Sequence, residues 1–154
     1  MKIKILLAVI WLLALTITSC KKDGNPDADS SYFKCKVDGK EYNVEGILAY
    51  GVHFGDENGI YGLTGNGDQE TCFFIIPLDA TKGTYTFDTN NRGNFTDINK
   101  IDYSSLWGQG SGSVTIEEID AVHAKGTFQF TAWDGDTETK TKTITDGKFN
   151  VAFR

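Results

Sequence analysis

The sequence predicts an all-β domain, an antiparallel β-sandwich or flattened barrel of about 8–10 short strands. Three observations carry this expectation. Apolar and polar residues alternate with period two in short runs rich in Val, Ile, Thr, Phe and Tyr. Turn signals built on Gly, Asn and Asp recur about every 8–12 residues. The chain holds 17 Gly and only 2 Pro, and beyond Ser31 helical periodicity is almost absent.

The elements follow in order. Phe33, Cys35 and Val37 alternate with Tyr32, Lys34 and Lys36, and Asp38-Gly39 is a two-residue hairpin signal. Tyr42 and Val44 continue the alternation on the return strand. Leu48, Tyr50, Val52 and Phe54 share one face of the next strand, which predicts that face as its apolar side. Asp56-Glu57-Asn58-Gly59 predicts a turn, Ile60 to Leu63 a strand, and Gly65-Asn66-Gly67-Asp68 its end. Thr71 to Leu78 is nearly all apolar, as a central strand covered on both faces would be. Gly83 to Phe87 makes a short strand with Tyr85 and Phe87 on one side. Residues 88–110 are the least regular: a loop over Asp88 to Gly93, one strand within Phe95 to Tyr103, and a loose stretch from Gly108 to Gly112. Val114, Ile116 and Ile119 restore order. Val122, Ala124, Phe128, Phe130 and Ala132 give a long strand with one apolar face, and Trp133-Asp134-Gly135-Asp136 a hairpin. Lys140 to Ile144 returns, and Phe149, Val151 and Phe153 alternate with Lys148, Asn150 and Ala152 in a terminal strand.

The first residues read differently. Lys2 and Lys4 make a positive start, Ile5 to Leu15 is an uncharged apolar run, and Thr16-Ile17-Thr18-Ser19-Cys20 follows. A charged start, a short apolar run and small residues before a cleavage point predict a signal peptide over 1–19. The run is shorter than the roughly 20 apolar residues that span a bilayer. Ile17-Thr18-Ser19-Cys20 resembles the bacterial lipobox, in which the Cys thiol and the new amino terminus receive palmitate-type acyl chains. Two or more such chains anchor a protein stably. Residues 20–31 are the lipidated Cys20 and a polar, flexible tether, and 32–154 are the β-sandwich domain. The expected address is the cell envelope, on the outer membrane, with the side it faces left open.

The chain has 154 residues and a formal charge of −6, and loss of Lys2 and Lys4 with the signal takes it to −8. One hydrophobic core fits this size. An acidic chain with no basic cluster beyond the tether is not expected to bind nucleic acid, which needs a basic patch. Cys35 and Cys72 are a candidate disulfide, and each also sits where a buried free Cys would behave as a small hydrophobe.

Four stretches together span most of the mature chain: Phe33-Lys34-Cys35-Lys36-Val37-Asp38-Gly39-Lys40-Glu41-Tyr42, Gly110-Ser111-Gly112-Ser113-Val114-Thr115-Ile116, Gly126-Thr127-Phe128-Gln129-Phe130-Thr131-Ala132 and Ile144-Thr145-Asp146-Gly147-Lys148-Phe149-Asn150-Val151. In their order and spacing after a lipobox the chain resembles a family of small lipoproteins from Bacteroidota whose domain has no assigned function. The resemblance implies a β-sandwich-like domain on the cell envelope and brings no catalytic residues. In that group a Lys followed by acids after the lipid Cys directs the protein outward. Here Lys21, Lys22, Asp23 and Gly24 match that signal in part.

Catalytic chemistry finds little support. Asp134, Asp136 and Glu138 alternate as calcium ligands might be spaced, but the calcium loop's Gly and its terminal Glu are missing. His53 and His123, the only histidines, read as surface residues and lack a zinc pattern. No Gly-x-Ser-x-Gly elbow surrounds Ser104, Ser105, Ser111 or Ser113. Glu117-Glu118 would point to opposite faces of a strand. Trp107, in the irregular segment, and Trp133, beside a turn, are candidates for stacking on a ligand or for capping the core. The expectation is therefore a lipid-anchored, non-enzymatic binding module with no metal or cofactor, its partner a protein or saccharide met through loops. An accessory subunit of an outer-membrane protein complex and a hydrolase with dispersed carboxylates are the rival readings.

Overall fold

The computed structural model describes residues 30–64, 69–137 and 139–154. The signal peptide, Cys20 and most of the tether lie outside the described residues, as do the Gly65–Asp68 turn and Glu138. Eleven strands follow one another: β1 (Tyr32–Val37), β2 (Lys40–Glu45), β3 (Ala49–Phe54), β4 (Glu57–Leu63), β5 (Thr71–Pro77), β6 (Gly83–Thr86), β7 (Arg92–Thr96), β8 (Asp102–Ser104), β9 (Ser111–Ile119), β10 (His123–Asp134) and β11 (Thr141–Ala152). A 3₁₀ turn, Gly46–Leu48, joins β2 to β3. Among the described residues no helix is long and apolar enough to cross a membrane.

The strands form one antiparallel sheet that curls into a nearly closed barrel. The order is β2-β1-β11-β10-β8-β7-β5-β4-β3, with β9 on β10 and β6 on β9. One edge of β10 is shared. Ala124 to Thr131 pair with β9, and Trp133 and Asp134 pair with β8. The sheet divides there into two facing layers. They approach again where Gly51 of β3 bridges Phe153, just past β11, and accepts the Arg154 N–H at 3.1 Å. Gly51 is required at this seam, because a Cβ there would lie 2.5 Å from the Phe153 ring.

Between the layers lies an aromatic core. Phe33, Phe128 and Phe149 come from one layer and Phe74 from the other, with Phe33 4.7 Å from Phe128 and Phe74 5.2 Å and 5.1 Å from Phe128 and Phe149. Phe33, Phe74 and Phe149 are fully buried. Each such burial contributes about 1.5–3 kcal/mol, and each well-placed ring pair about 0.5–1.5 kcal/mol more.

The alternation places β1, β2, β5 and β10 as expected, and the Asp38-Gly39 hairpin has both residues at positive φ, 50° and 80°. Four details differ. Tyr50 and Val52 face outward, while Ala49 and Gly51 are the buried residues of β3, because the Phe153 ring and the core leave room only for small side chains there. The following turn falls at Gly55-Asp56, where Gly55 takes φ 56°, and Asn58 is buried inside β4. Phe95 to Tyr103 is a hairpin of two strands. The Asp97 carboxylate takes the N–H groups of Asn99 and Ile101, and Lys100 sits at φ 64°, so the turn needs no Gly. Lys140 to Phe153 is one long strand in place of two. Its register shifts across Thr145 to Lys148, where Asp146 takes φ 54°.

Candidate functional site

The barrel has two contrasting ends, separated by the length of β10, roughly 40 Å at the usual rise per strand residue. At the first, Ser31 docks the start of the domain. It is buried, its carbonyl accepts the Gly46 N–H at 2.9 Å, and its hydroxyl accepts the Ala152 N–H at 3.2 Å. Arg154 is held beside it. Its guanidinium lies 3.6 Å over the Tyr50 ring and donates to the Ile47 carbonyl at 2.6 Å. Phe153 N–H bonds to Val122 at 2.9 Å, and the Phe153 ring stacks on His53 at 4.1 Å. The Asn58 amide is oriented by donating to the Pro77 and Leu78 carbonyls. Its oxygen therefore faces His53 Nδ1 at 2.6 Å, and Nδ1 is the donor. His53 Nε2 lies 3.2 Å from the Ala121 carbonyl. His53 and Asn58 line a cleft of about 290 Å³ walled by Leu78, Ala80, Ile119, Asp120 and Ala121.

The second end is organised around Tyr103. Three aspartates hold its turns, each by accepting backbone N–H groups. Asp38 binds Thr143 N–H at 2.9 Å and Lys142 Nζ at 2.8 Å, and Asp97 holds its own hairpin. Asp134 binds the N–H groups of Thr139 and Lys140 and the Thr137 hydroxyl. The Lys142 ammonium lies 5.6 Å from the Tyr103 ring centre. The Thr137 hydroxyl, with the backbone N–H groups, holds the Asp134 carboxyl below the ordinary aspartate range. Burial pushes Asp38 upward, but Lys142 and the Thr143 N–H outweigh it and hold Asp38 low. Beside these turns lies a second cleft of about 210 Å³, with Val37, Tyr42 and Phe95 among its lining and the charges of Asp38, Lys40, Glu41, Glu70 and Lys142 around them.

The expected stacking residues occupy this second end. Trp107, 37 % exposed, lies with its ring across Gly135, and Trp133 packs against Gly108. In each pair the glycine is what admits the ring, since a Cβ at either position would stand 2.8 Å from it. Trp133 Nε1 is buried with no hydrogen-bond partner among the described residues. The two rings are thus set at one corner, where the turn from β8 to β9 crosses the end of β10. Trp107 is the more accessible.

The other candidates take structural places. The Asp134 carboxylate is committed to its own loop, and among the described residues no cluster of three or more His, Cys, Asp or Glu could hold a metal. Glu117 and Glu118 do not diverge as a regular strand would make them. The register shift at Lys125/Gly126 brings both to Lys125, at 3.7 and 3.3 Å. His123 Nε2 meets Asn150 at 2.7 Å on the polar side of β10. Cys35 and Cys72 are brought together from opposite layers. Both are buried free thiols in mutual hydrogen bond, and Tyr42, across from Cys35, accepts the Cys72 N–H at 3.2 Å. Burial, then the Cys35 contact, pushes the Cys72 thiol up.

One aromatic group escaped the sequence reading. Tyr50, Tyr61 and Phe73 form a row on the outer face of β3, β4 and β5, with ring separations of 5.3 and 4.9 Å. Tyr61 stacks between two rings and Tyr50 between a ring and the Arg154 guanidinium, so these two are poor stacking platforms for a ligand. The apolar alternation of β3 was the available signal.

Residues 29–151, nearly the whole described domain, match the family described as Domain of unknown function (DUF6252). The chain belongs to this family. No curated protein and no solved structure matches it. The DUF6252 domain of this chain is therefore described by its own geometry: a nearly closed barrel, a Ser31 end built on aliphatic turn tips, and a Tyr103 end built on clasped turns and two tryptophans.

Proposed function

We propose that this chain is a lipid-anchored protein of the bacterial cell envelope, held on the outer membrane through Cys20, and that it acts as a non-enzymatic binding module. The Tyr103 end carries the binding surface, with Trp107 as its contact residue. The exposed ring of Trp107, fixed against Gly135 at the end of the barrel remote from the tether, is the observation that carries this reading. A ring already immobilised loses little entropy on binding, which makes it an effective anchor for a saccharide face or an apolar protein side chain. Further support comes from the acids, since Asp38, Asp97 and Asp134 are occupied in holding turns and Glu117 and Glu118 in pairing with Lys125. The anchor rests on the lipobox-like Ile17-Thr18-Ser19-Cys20 and the polar residues after it.

Two measurements test this. Mass spectrometry of the mature amino terminus is expected to find acylated Cys20, and an unmodified terminus would remove the anchor. Glycan and peptide arrays probed with the wild-type chain and Trp107→Ala are expected to show binding that the substitution abolishes. Arrays without a hit, or hits that Trp107→Ala leaves unchanged, would remove the proposed surface.

A further inference from the structure

The Ser31 end raises a question of its own, because four of its turn tips expose large aliphatic or aromatic side chains. Ile47 is 63 % exposed, Leu78 47 %, Val122 46 % and Phe54 38 %. Single exposed apolar residues are ordinary on any protein surface. These four are linked by a continuous path of short contacts. Ile47 accepts from Arg154; the neighbouring Phe153 donates to Val122; Ala121, next in the chain, meets His53, which precedes Phe54; and Asp56 accepts the N–H of Leu78. They form a collar around the point at which Ser31 is docked into the domain.

We propose that this collar is a lipid-facing surface: with Cys20 anchored, Ile47, Val122, Leu78 and Phe54 rest on the phospholipid surface to which the tether leads. The proposal rests on the anchoring reading above. Tether length makes the case. Ser31 is eleven residues beyond Cys20. A segment of that length cannot exceed about 40 Å even when fully extended. The Ser31 end is thereby confined close to the bilayer while the Tyr103 end points away. Confinement turns a contact too weak to hold a free protein into one that is made most of the time. The charges specify the lipid. Asp56 and Asp120 are exposed at the same end, and the Arg154 guanidinium is already engaged with Tyr50 and Ile47. Asp79 adds a third exposed carboxylate and Lys82 one exposed ammonium, so this rim is net negative and favours a surface of low negative charge over an anionic one.

The test uses the mature chain coupled through Cys20 to a maleimide phospholipid in phosphatidylcholine/phosphatidylethanolamine vesicles, read by amide hydrogen exchange. It does not depend on acylation in the cell, so failure here and failure of the anchoring reading are told apart by the mass of the native amino terminus. Exchange at the Gly46–Leu48, Gly55–Asp56 and Ala121–Val122 turns is expected to slow at least about fivefold relative to the uncoupled chain, while Gly135–Thr137 is unchanged. Adding anionic lipid is expected to reduce the slowing. The double variant Ile47→Asp, Val122→Asp, both at exposed positions, is expected to stay coupled and lose it. Turns that exchange at the same rate with and without the vesicle would overturn the proposal, as would slowing that extends equally to Gly135–Thr137. Slowing that the double variant retains would overturn it too.

Discussion

The Ser31 end and the Tyr103 end are both made of hairpin turns, yet they hold those turns by different means. At the Tyr103 end the turns are closed by carboxylates. Asp38, Asp97 and Asp134 each accept backbone N–H groups that a loop would otherwise leave to water. The Ser31 end has one such clasp, the Asp120 carboxylate accepting the Val122 N–H at 2.8 Å, and otherwise relies on tight turns, Gly46 and Gly55 at positive φ, and on docking of Phe153 and Arg154 against β3. Clasped turns keep polar groups inward and let Trp107 be displayed at a fixed place. Both ends expose apolar carbon, Ile98, Leu106 and Trp107 at the Tyr103 end and Ile47, Leu78, Val122 and Phe54 at the Ser31 end, so the two differ in how their turns are closed more than in what their tips display.

That contrast can be broken at four levels. Phe74→Ala removes the ring that meets Phe33, Phe128 and Phe149, and is expected to cost about 3–5 kcal/mol. Urea unfolding should show both ends melting together, and separate transitions would mean that the core does not couple them. Gly51→Ala forces a Cβ into the Phe153 ring and is expected to cost about 1–3 kcal/mol. Faster amide exchange should be confined to Val122, Phe153 and Arg154, and equal loosening at Thr139 and Lys140 would contradict the independence of the ends.

Acid should act in the opposite place. Asp38 and Asp134 have folded values below the ordinary aspartate value of 3.8. A lowered folded value means a contribution that is complete above the unfolded value and lost as pH falls through the folded one. Between pH 5 and pH 2 (about the span over which aspartates titrate), protection from exchange at Thr139, Lys140 and Thr143, relative to the intrinsic rate at each pH, should fall before protection at Gly46 and Phe153, whose N–H groups bond to backbone carbonyls. Asp134→Asn should remove the part of this dependence that belongs to the Asp134 loop. The smallest effect is expected of Trp107→Ala. With its ring 37 % exposed and lying across Gly135 at the end of the barrel, outside the buried core, it should change stability by no more than about 1 kcal/mol in a thermal melt, whatever it does to binding.

Sequence alternation made most of the strands legible, since period two is imposed by the pleat itself. It could not say which face of β3 is inward. Tyr50, Val52 and Phe54 do share a face, but the inner position had been settled by Ala49 and Gly51 against Phe153, a contact over a hundred residues away in sequence. Nor could it show the β7–β8 hairpin, whose turn is made by the Asp97 carboxylate and Lys100 at positive φ in place of a Gly. The bulge at Asp146-Gly147 hides in the same way, because Asp-Gly reads as the end of a strand and here lies inside one. For the candidate site, Trp107 and Trp133 were visible as residues. Their placement was not, as it depends on Gly135 and Gly108 far along the chain, and Tyr103 gave no signal among the other aromatics of the core.

The position of β11 has a consequence for the order in which the molecule can assemble. The first strand, β1, is joined to the rest of the sheet through β11, and β10, the strand common to both layers, also pairs with β11. The layer built from β2, β1, β11 and β10 is not whole until β11 is in place, and the β1–β11 contacts that finish it are among the most distant in sequence, a topology that folds slowly.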